Sequence, residues 1–312
     1  MELSIVIPLF NERGNLGPLH EELKHVLASM GVSHEILFID DGSIDGSIGE
    51  LHRIKASDAN VRVIRLAKNT GQTAALQCGF SNSRGDIVVA LDGDGENDPA
   101  DIPRVVAKLK EGYDLVSGWR TERWQNETFT RRLPSVAANG LISRITGTRL
   151  HDYGCTLKAY RGDLARNLAL YGEMHRFVPA IAAEQGAHIT ELQVNFRPRL
   201  SGKSKYGPGR IIRTFLDLMT VKFLSGYSTR PIQIFGAIGL LIGALGAIWM
   251  ATLVFEKVFL GYHLADRPAL LLAVLLVVVG VQFVSLGLIG EMVARTYHES
   301  QHKPIYLIKE EF

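Results

Sequence analysis

Ile87-Val88-Val89-Ala90-Leu91 runs directly into Asp92-Gly93-Asp94-Gly95-Glu96-Asn97-Asp98-Pro99, and this junction decides the fold. The first part is apolar, rich in β-branched residues and too short for a helix, so it reads as a buried strand. Leu3–Leu9, Glu35–Ile39 and Val61–Leu66 read the same way, with a weaker run at Tyr113–Ser117. Segments of helical period lie between them. Asn15–Met30 places Leu16, Leu19, Leu23, Val26 and Leu27 on one face, and Thr73–Ser83 and Ile102–Glu111 follow. Strands alternating with helices predict an α/β fold on a mainly parallel, doubly wound sheet. Such sheets bind ligands beyond the carboxyl ends of their strands. The polar residues collect there: Pro8-Leu9-Phe10-Asn11-Glu12 after the first strand, Asp40-Asp41-Gly42-Ser43 after the second, and the acidic segment after the fourth.

Some ligand classes are excluded. No Gly-x-Gly-x-x-Gly follows the first strand, which argues against a dinucleotide site, and no Gly-x-x-x-x-Gly-Lys-Ser/Thr occurs, which removes a P-loop. Asp92, Asp94, Glu96 and Asp98 crowd into one short segment, where ionised carboxylates repel. A divalent cation such as Mg²⁺ or Mn²⁺ relieves that repulsion and bridges to substrate phosphates. An EF-hand loop begins similarly, but its sixth position would be Asn97 rather than Gly and its twelfth Pro103 rather than Glu. A solvated turn remains the other reading, because Asp98-Pro99 also suits a helix start. Asp41-Gly42-Ser43 likewise fits an Asx or Ser turn before a helix.

The chain has 312 residues, enough for one large domain or two small ones. Charge is concentrated in residues 1–210, and the net value of +2 implies no nucleic-acid partner. Cys78 and Cys155 lack metal-ligand spacing and suit a reducing compartment. The amino terminus reads directly as a strand, without the flanks of a signal peptide. Ile232–Phe255 and Ala269–Gly290 are uncharged stretches, each longer than the roughly 20 residues that cross a bilayer as a helix. Arg210, Arg213, Lys222 and Arg230 precede the first; Arg295, Lys303 and Lys309 follow the second; only Lys257 and Arg267 lie in the link. That asymmetry places both ends in the cytoplasm. Arg210–Gly226 has an apolar helical face with basic flanks, fitting either a helix in the membrane interface or a core helix of the soluble part.

These residues, in this order, resemble the family-2 glycosyltransferases with a GT-A fold and, more narrowly, the polyprenyl-phosphate glycosyltransferases. The resemblance spans essentially the whole chain. It rests on Val6-Ile7-Pro8 with Asn11-Glu12, Asp40-Asp41-Gly42-Ser43, Asn69-Thr70-Gly71-Gln72, Asp92-x-Asp94 and Asn97-Asp98-Pro99. Asp152-Tyr153-Gly154-Cys155, Gly202-Lys203-Ser204-Lys205-Tyr206 and the two apolar spans complete it. The aminoarabinose and bactoprenol-glucose branches look nearest, since they share the two-span end near Gly290-Glu291. The resemblance implies a GT-A domain over residues 1–208 and an interfacial helix region over 209–230. It implies a two-helix hairpin over 231–292, with helices at about 232–255 and 269–290, and a cytoplasmic tail over 293–312.

Carried over residue by residue, Pro8, Phe10, Glu12, Asp40 and Asp41 would hold the base and ribose of a nucleotide-sugar donor, UDP-linked rather than GDP-linked. Asp94 and Glu96 would ligate Mg²⁺ or Mn²⁺, with Asp92 on the metal or the ribose; many relatives carry Gln at the position of Glu96. The implied acceptor is a polyprenyl monophosphate in the lipid bilayer. Its second pKa is about 6, so it needs no strong base to attack. Arg120, Arg131, Arg132, Ser135, Arg199 and Lys205 are the candidate ligands for that phosphate. Displacement would invert the anomeric centre, with Asp94 and Asp98 at the reaction centre, Asp98 as base or charge stabiliser if not simply a cap. His175, in Glu173-Met174-His175-Arg176-Phe177, reads as structural. The expected setting is the bacterial inner membrane, as a multi-pass homo-oligomer, a tetramer by resemblance, with its catalytic domain cytoplasmic. The competing readings are a family-2 enzyme with another lipid or glycan acceptor, and a non-catalytic membrane scaffold or flippase partner. Against a processive synthase stand the two spans and the lack of Gln-x-x-Arg-Trp.

Overall fold

A computed structural model describes residues 1–121, 143, 148–170, 174–197, 232–260, 268–300 and 305–312. The chain forms two compact units, Met1–Leu218 with Pro304–Phe312, and Met219–Lys303.

The first unit is built on an eight-stranded sheet. Its strands are β1 (Leu3–Leu9), β2 (His34–Asp40), β3 (Val61–Leu66), β4 (Ile87–Ala90), β5 (Leu115–Trp119), β6 (Lys158–Arg161), β7 (Ile189–Gln193) and β8 (Ile308–Glu311), in the spatial order β7-β5-β6-β4-β1-β2-β3-β8. The centre is parallel, β4-β1-β2-β3, with Leu9 beside Asp40 at the carboxyl ends. All seven residues of β1 are buried, as expected of a parallel strand covered on both faces. The flanks are mixed around this mainly parallel centre. Strand β6 runs antiparallel to β4 and β5, β7 runs parallel to β5, and β8 runs antiparallel to β3. Residues 293–312 are thus not a simple tail, since their end supplies an edge strand.

The helices α1 (Arg13–Met30), α2 (Ser47–Ser57), α3 (Gln72–Asn82) and α4 (Ile102–Lys110) connect the central strands. Two short helices, α5 (Gly162–Asn167) and α6 (Val178–Glu184), follow β6. The sheet-facing stripes of α1 and α4 supply Leu16, Leu19, Leu23, Leu27, Val105 and Leu109 to one core with Ile5, Ile7 and Phe38. Helix α1 ends at Gly31, whose φ of 62° makes the left-handed cap that glycine adopts without strain. Helix α3 lies tight on the sheet: a Cβ at Gly79 would come 2.2 Å from Val6 Cγ1. The amino end of α3 lies by the loop after β4, where Gln72 Nε2 donates to Asp92 Oδ1 at 2.7 Å.

The second unit contains α7 (Ile232–Leu260) and α8 (Pro268–Ser300). Phe235–Leu260 and Pro268–Gly290 are long and apolar enough to cross a membrane, and only 17% and 11% of their apolar windows are buried. A core helix of a soluble protein would be mostly buried. Leu240, Val258 and Leu271 instead stand exposed. Glycines bring the two backbones together, with a Cβ at Gly239 only 2.6 Å from Gly280 O. The sequence reading ended the second helix at Gly290; it continues to Ser300. The proposed interfacial helix, Arg210–Gly226, lies outside the described residues.

Candidate active site

A cavity of about 340 Å³ opens over the carboxyl ends of β1, β2 and β4. Pro8, Phe10, Glu12, Asp41, Asp92, Asp94, Glu96 and Arg120, each singled out from the sequence, line it. So do Gln72, Thr156, His175 and Arg176.

Three loops interlock to shape the donor side. Asn11 turns left-handed at φ 55°, a conformation Asn tolerates better than most residues. Its amide donates to Ser43 Oγ at 2.8 Å, and its Oδ1 accepts from Ile44 N at 2.9 Å. Glu12 is steered by Asn15 Nδ2, 2.6 Å from Oε2. Asp41 accepts from the amides of Thr70 and Gly71 at 2.7 and 2.8 Å. Burial pushes its carboxyl up, those two bonds pull it back, and Asp40 adds to the rise. Gly42 makes this contact possible, because a Cβ there would meet Asn69 N at 2.8 Å. The segment thus forms a hydrogen-bonded turn, as one sequence reading expects, and places Asp41 on the cavity wall. Asp40 does not line the cavity; it is fully buried, accepting Ser43 N at 3.1 Å with Arg65 beside it.

The acidic segment divides in the same way. Asp92 is clamped, one oxygen taking Gln72 Nε2 at 2.7 Å and the other Thr156 Oγ1 at 2.9 Å. Burial first, then the adjacent Asp94 carboxylate, pushes Asp92 up to about 7. Asp94 is buried on the cavity wall, where its Oδ1 accepts Glu96 N at 3.1 Å. Among the described residues no three His, Cys, Asp or Glu side chains converge as a ready-made metal cage. All three expected ligands, Asp92, Asp94 and Glu96, line the cavity, with Asp92 held by the neutral Gln72 and Thr156. Two carboxylates with open space fit Mg²⁺ or Mn²⁺, which take few protein ligands and complete their shells from phosphate and water.

Asp98 departs from the expectation of a reactive acid. It does not line the cavity. Its Oδ1 caps the turn at Ala100 N (2.9 Å) and pairs with Arg197 at 2.7 Å, while Oδ2 accepts Asn195 Nδ2 at 3.2 Å. Capping and ion pairing occupy the carboxylate that sequence reasoning offered to the substrate.

The cations divide as well. Arg120 lines the cavity, but its guanidinium forks onto Asp152, Nε to Oδ2 at 2.8 Å and Nη2 to Oδ1 at 3.1 Å. It is 5% exposed, so burial works against its charge and Asp152 more than restores it. Lys158, also buried, donates to the carbonyls of Cys155 and Tyr153 and so props the loop that carries Thr156. Arg176 Nε donates to His175 Nε2 at 3.3 Å, which leaves the ring hydrogen on Nδ1, 2.8 Å from Thr73 Oγ1. His175 thus links α3, through Thr73, to Arg176 at the cavity wall. Arg131, Arg132, Ser135, Arg199 and Lys205 lie outside the described residues. Sequence reasoning missed Thr156; its only local signal is that it follows Asp152-Tyr153-Gly154-Cys155.

A mixed sheet with carboxylates at the ends of its central parallel strands is the architecture of a GT-A domain. The chain belongs to glycosyltransferase family 2: residues 4–168 match the family model described as "Glycosyl transferase family 2". It is 40% identical to a dodecaprenyl-phosphate galacturonate synthase from Rhizobium johnstonii, over 100% of this chain and 93% of that one. It is 35% identical to an undecaprenyl-phosphate 4-deoxy-4-formamido-L-arabinose transferase from Shewanella sediminis, over 99% and 92%. Among solved structures it is similar to glucosyl-3-phosphoglycerate synthase from Mycobacterium tuberculosis in complex with Mn²⁺ and UDP-glucose. That match has a TM-score of 0.55 at 18% identity, covering 71% of this chain and 78% of the other, and speaks to the fold.

Proposed function

We propose that the protein transfers a sugar from a UDP-sugar to a polyprenyl monophosphate at the cytoplasmic face of the bacterial inner membrane. The observation that carries this reading is the cavity wall itself. Glu12, Asp41, Asp94, Glu96, Arg120 and Arg176 line the same cavity. The full-length likeness to polyprenyl-phosphate sugar transferases supports the acceptor class.

In this reading Pro8, Phe10, Glu12 and Asp41 hold the nucleoside. Asp94 and Glu96 face the diphosphate and hold a divalent cation, which when bound neutralises the departing diphosphate. An oxygen of the acceptor phosphate attacks the anomeric carbon as the bond to the diphosphate breaks, inverting that centre and releasing UDP. A dianionic phosphate carries no proton that must leave, so the step asks for alignment and charge balance rather than a base. Arg176, with Arg131, Arg132, Ser135, Arg199 and Lys205, meets the acceptor phosphate. Arg120, tied to Asp152, contributes its field from the wall.

The two apolar helices are long enough to anchor the chain in a lipid bilayer. Strand β8 follows both helices in the chain yet pairs with β3, which supports an even number of crossings between them. Cys78 and Cys155 are both free, which suits a reducing cytoplasm. The test uses full-length protein with undecaprenyl phosphate and labelled UDP-galacturonate, UDP-formamidoarabinose or UDP-glucose, with and without EDTA. A labelled lipid that disappears with EDTA is expected. No lipid product from any of these donors, or from GDP-mannose, overturns the reading.

A further inference from the structure

Strand β8 does more than cover an edge. The register sets Asp40 of β2 beside Arg65 of β3, and Arg65 beside Glu310 of β8, so one row of alternating charge crosses three strands. Arg65 Nη1 lies 2.9 Å from Glu310 Oε1, and its Nε lies 3.4 Å from Asp40 Oδ2. Among the described residues neither that Nε nor that Oδ2 has a hydrogen-bond partner, so each buried atom is the other's counter-charge. The remaining oxygen, Asp40 Oδ1, accepts Ser43 N at 3.1 Å and shapes the turn on which Asp41 stands.

We propose that the C-terminal strand is a working part of the donor site: Glu310 orients Arg65, Arg65 balances Asp40, and Asp40 fixes the turn that presents Asp41 to the nucleotide. The proposal rests on the donor reading above. Arg65 and Glu310 are positioning residues, neither of which lines the cavity. The physical need is plain. Asp40 is completely buried, and a buried carboxylate stripped of its counter-ion either protonates or drags its loop toward water. Glu310 reaches this buried pair from the edge, because the arginine fork addresses two carboxylates at once. The last residues of the chain thereby set the geometry of a loop near its beginning.

The next residue provides a control. Glu311 pairs with Arg62 at 2.7 Å, and Arg62 with buried Glu35 at 2.8 Å. Adjacent strand residues face opposite sides of a sheet, so this second row leads away from Asp40. Glu310→Gln and Glu311→Gln therefore each remove one exposed carboxylate from the same strand, and only the first touches the donor loop.

UDP and, in parallel, GDP would be titrated in the presence of Mn²⁺ against full-length wild type, Glu310→Gln, Glu311→Gln and Arg65→Gln. Glu310→Gln is expected to weaken nucleotide binding by about threefold, the scale of one partly exposed charge pair. Arg65→Gln is expected to weaken it by about tenfold or more, because it strands a buried charge. Glu311→Gln should leave it unchanged. If Glu310→Gln and Glu311→Gln behave alike, or the second has the larger effect, β8 is only an edge cover and the proposal fails. Wild-type protein that binds neither nucleotide overturns the donor reading, and this proposal with it.

Discussion

Two acidic loops leave the parallel strands β2 and β4, which flank β1 in the same sheet, and they use their carboxylates in the same divided way. After β2, Asp41 faces the cavity while Asp40 is buried against Arg65. After β4, Asp94 and Glu96 face the cavity while Asp98 caps a turn and pairs with Arg197. Chemically identical side chains thus fall into two sets, one offered to a ligand and one spent on the scaffold. The difference lies in what else reaches them. Asp98 meets Asn195 and Arg197, which arrive from the far end of the soluble chain. Asp98 spends its oxygens on a backbone amide, a side-chain amide and a guanidinium away from the cavity, whereas Asp41, which also accepts two backbone amides, stays on the cavity wall.

Substitutions can break that division. The largest effect belongs to Asp94→Asn, which removes a cavity-facing charge. Loss of on the order of a hundredfold or more in kcat is expected, since a metal contact supplies several kcal/mol of charge stabilisation. Turnover near wild type would remove Asp94 from the ligand set. Arg120→Ala tests the scaffold side. It takes the guanidinium away from buried Asp152, and should cost about 3 kcal/mol in unfolding free energy by denaturant titration. A loss confined to acceptor KM, with stability intact, would return Arg120 to the phosphate ligands proposed from the sequence.

Asp98→Asn sharpens the comparison from the other loop. The cap is retained in part and the Arg197 pair is lost, so stability should fall by about 1 kcal/mol while kcat stays within about threefold. A collapse of kcat would place Asp98 at the reaction centre after all. The smallest effect is acid-side and concerns Glu35. Burial alone would raise its carboxyl, but Ser4, Arg62 and the Arg84 amide together hold it below the ordinary 4.5. Its stabilising contribution is therefore full above pH 4.5 and drains away as pH falls through the lower folded value. Glu35→Gln should flatten that part of the stability–pH curve, and a curve that keeps its acid limb would assign the slope to other carboxylates.

How much of this was legible in the sequence varies by region. The four central strands are largely buried; β1, β2 and β4 announce themselves as mainly apolar runs, and β3 keeps its apolar positions around the half-buried Arg62 and Arg65. Helices α1, α3 and α4 follow from their stripes. The flanking strands do not. Lys158-Ala159-Tyr160-Arg161 and Ile308-Lys309-Glu310-Glu311 are short and charged; of the two only β8 lies at an edge, where charge discourages pairing with other molecules, while β6 is paired on both sides by β4 and β5. Nothing in their local pattern names β4 or β3 as a partner. Among site residues, Glu12, Asp41, Asp94 and Glu96 were readable because each follows a buried strand. Thr156 was not, because the strand after it is one of the illegible ones.

The sequence by itself determined the parallel core, the position of the acids at its carboxyl ends and the two apolar helices. All of these depend on periodicity and length, which are local properties. Only the tertiary structure decided which acids face the cavity, that Arg120 is committed to Asp152, and that the chain's last strand returns to β3. Those outcomes depend on residues tens or hundreds of positions apart meeting in space, because a carboxylate's role is set by the donors packed against it.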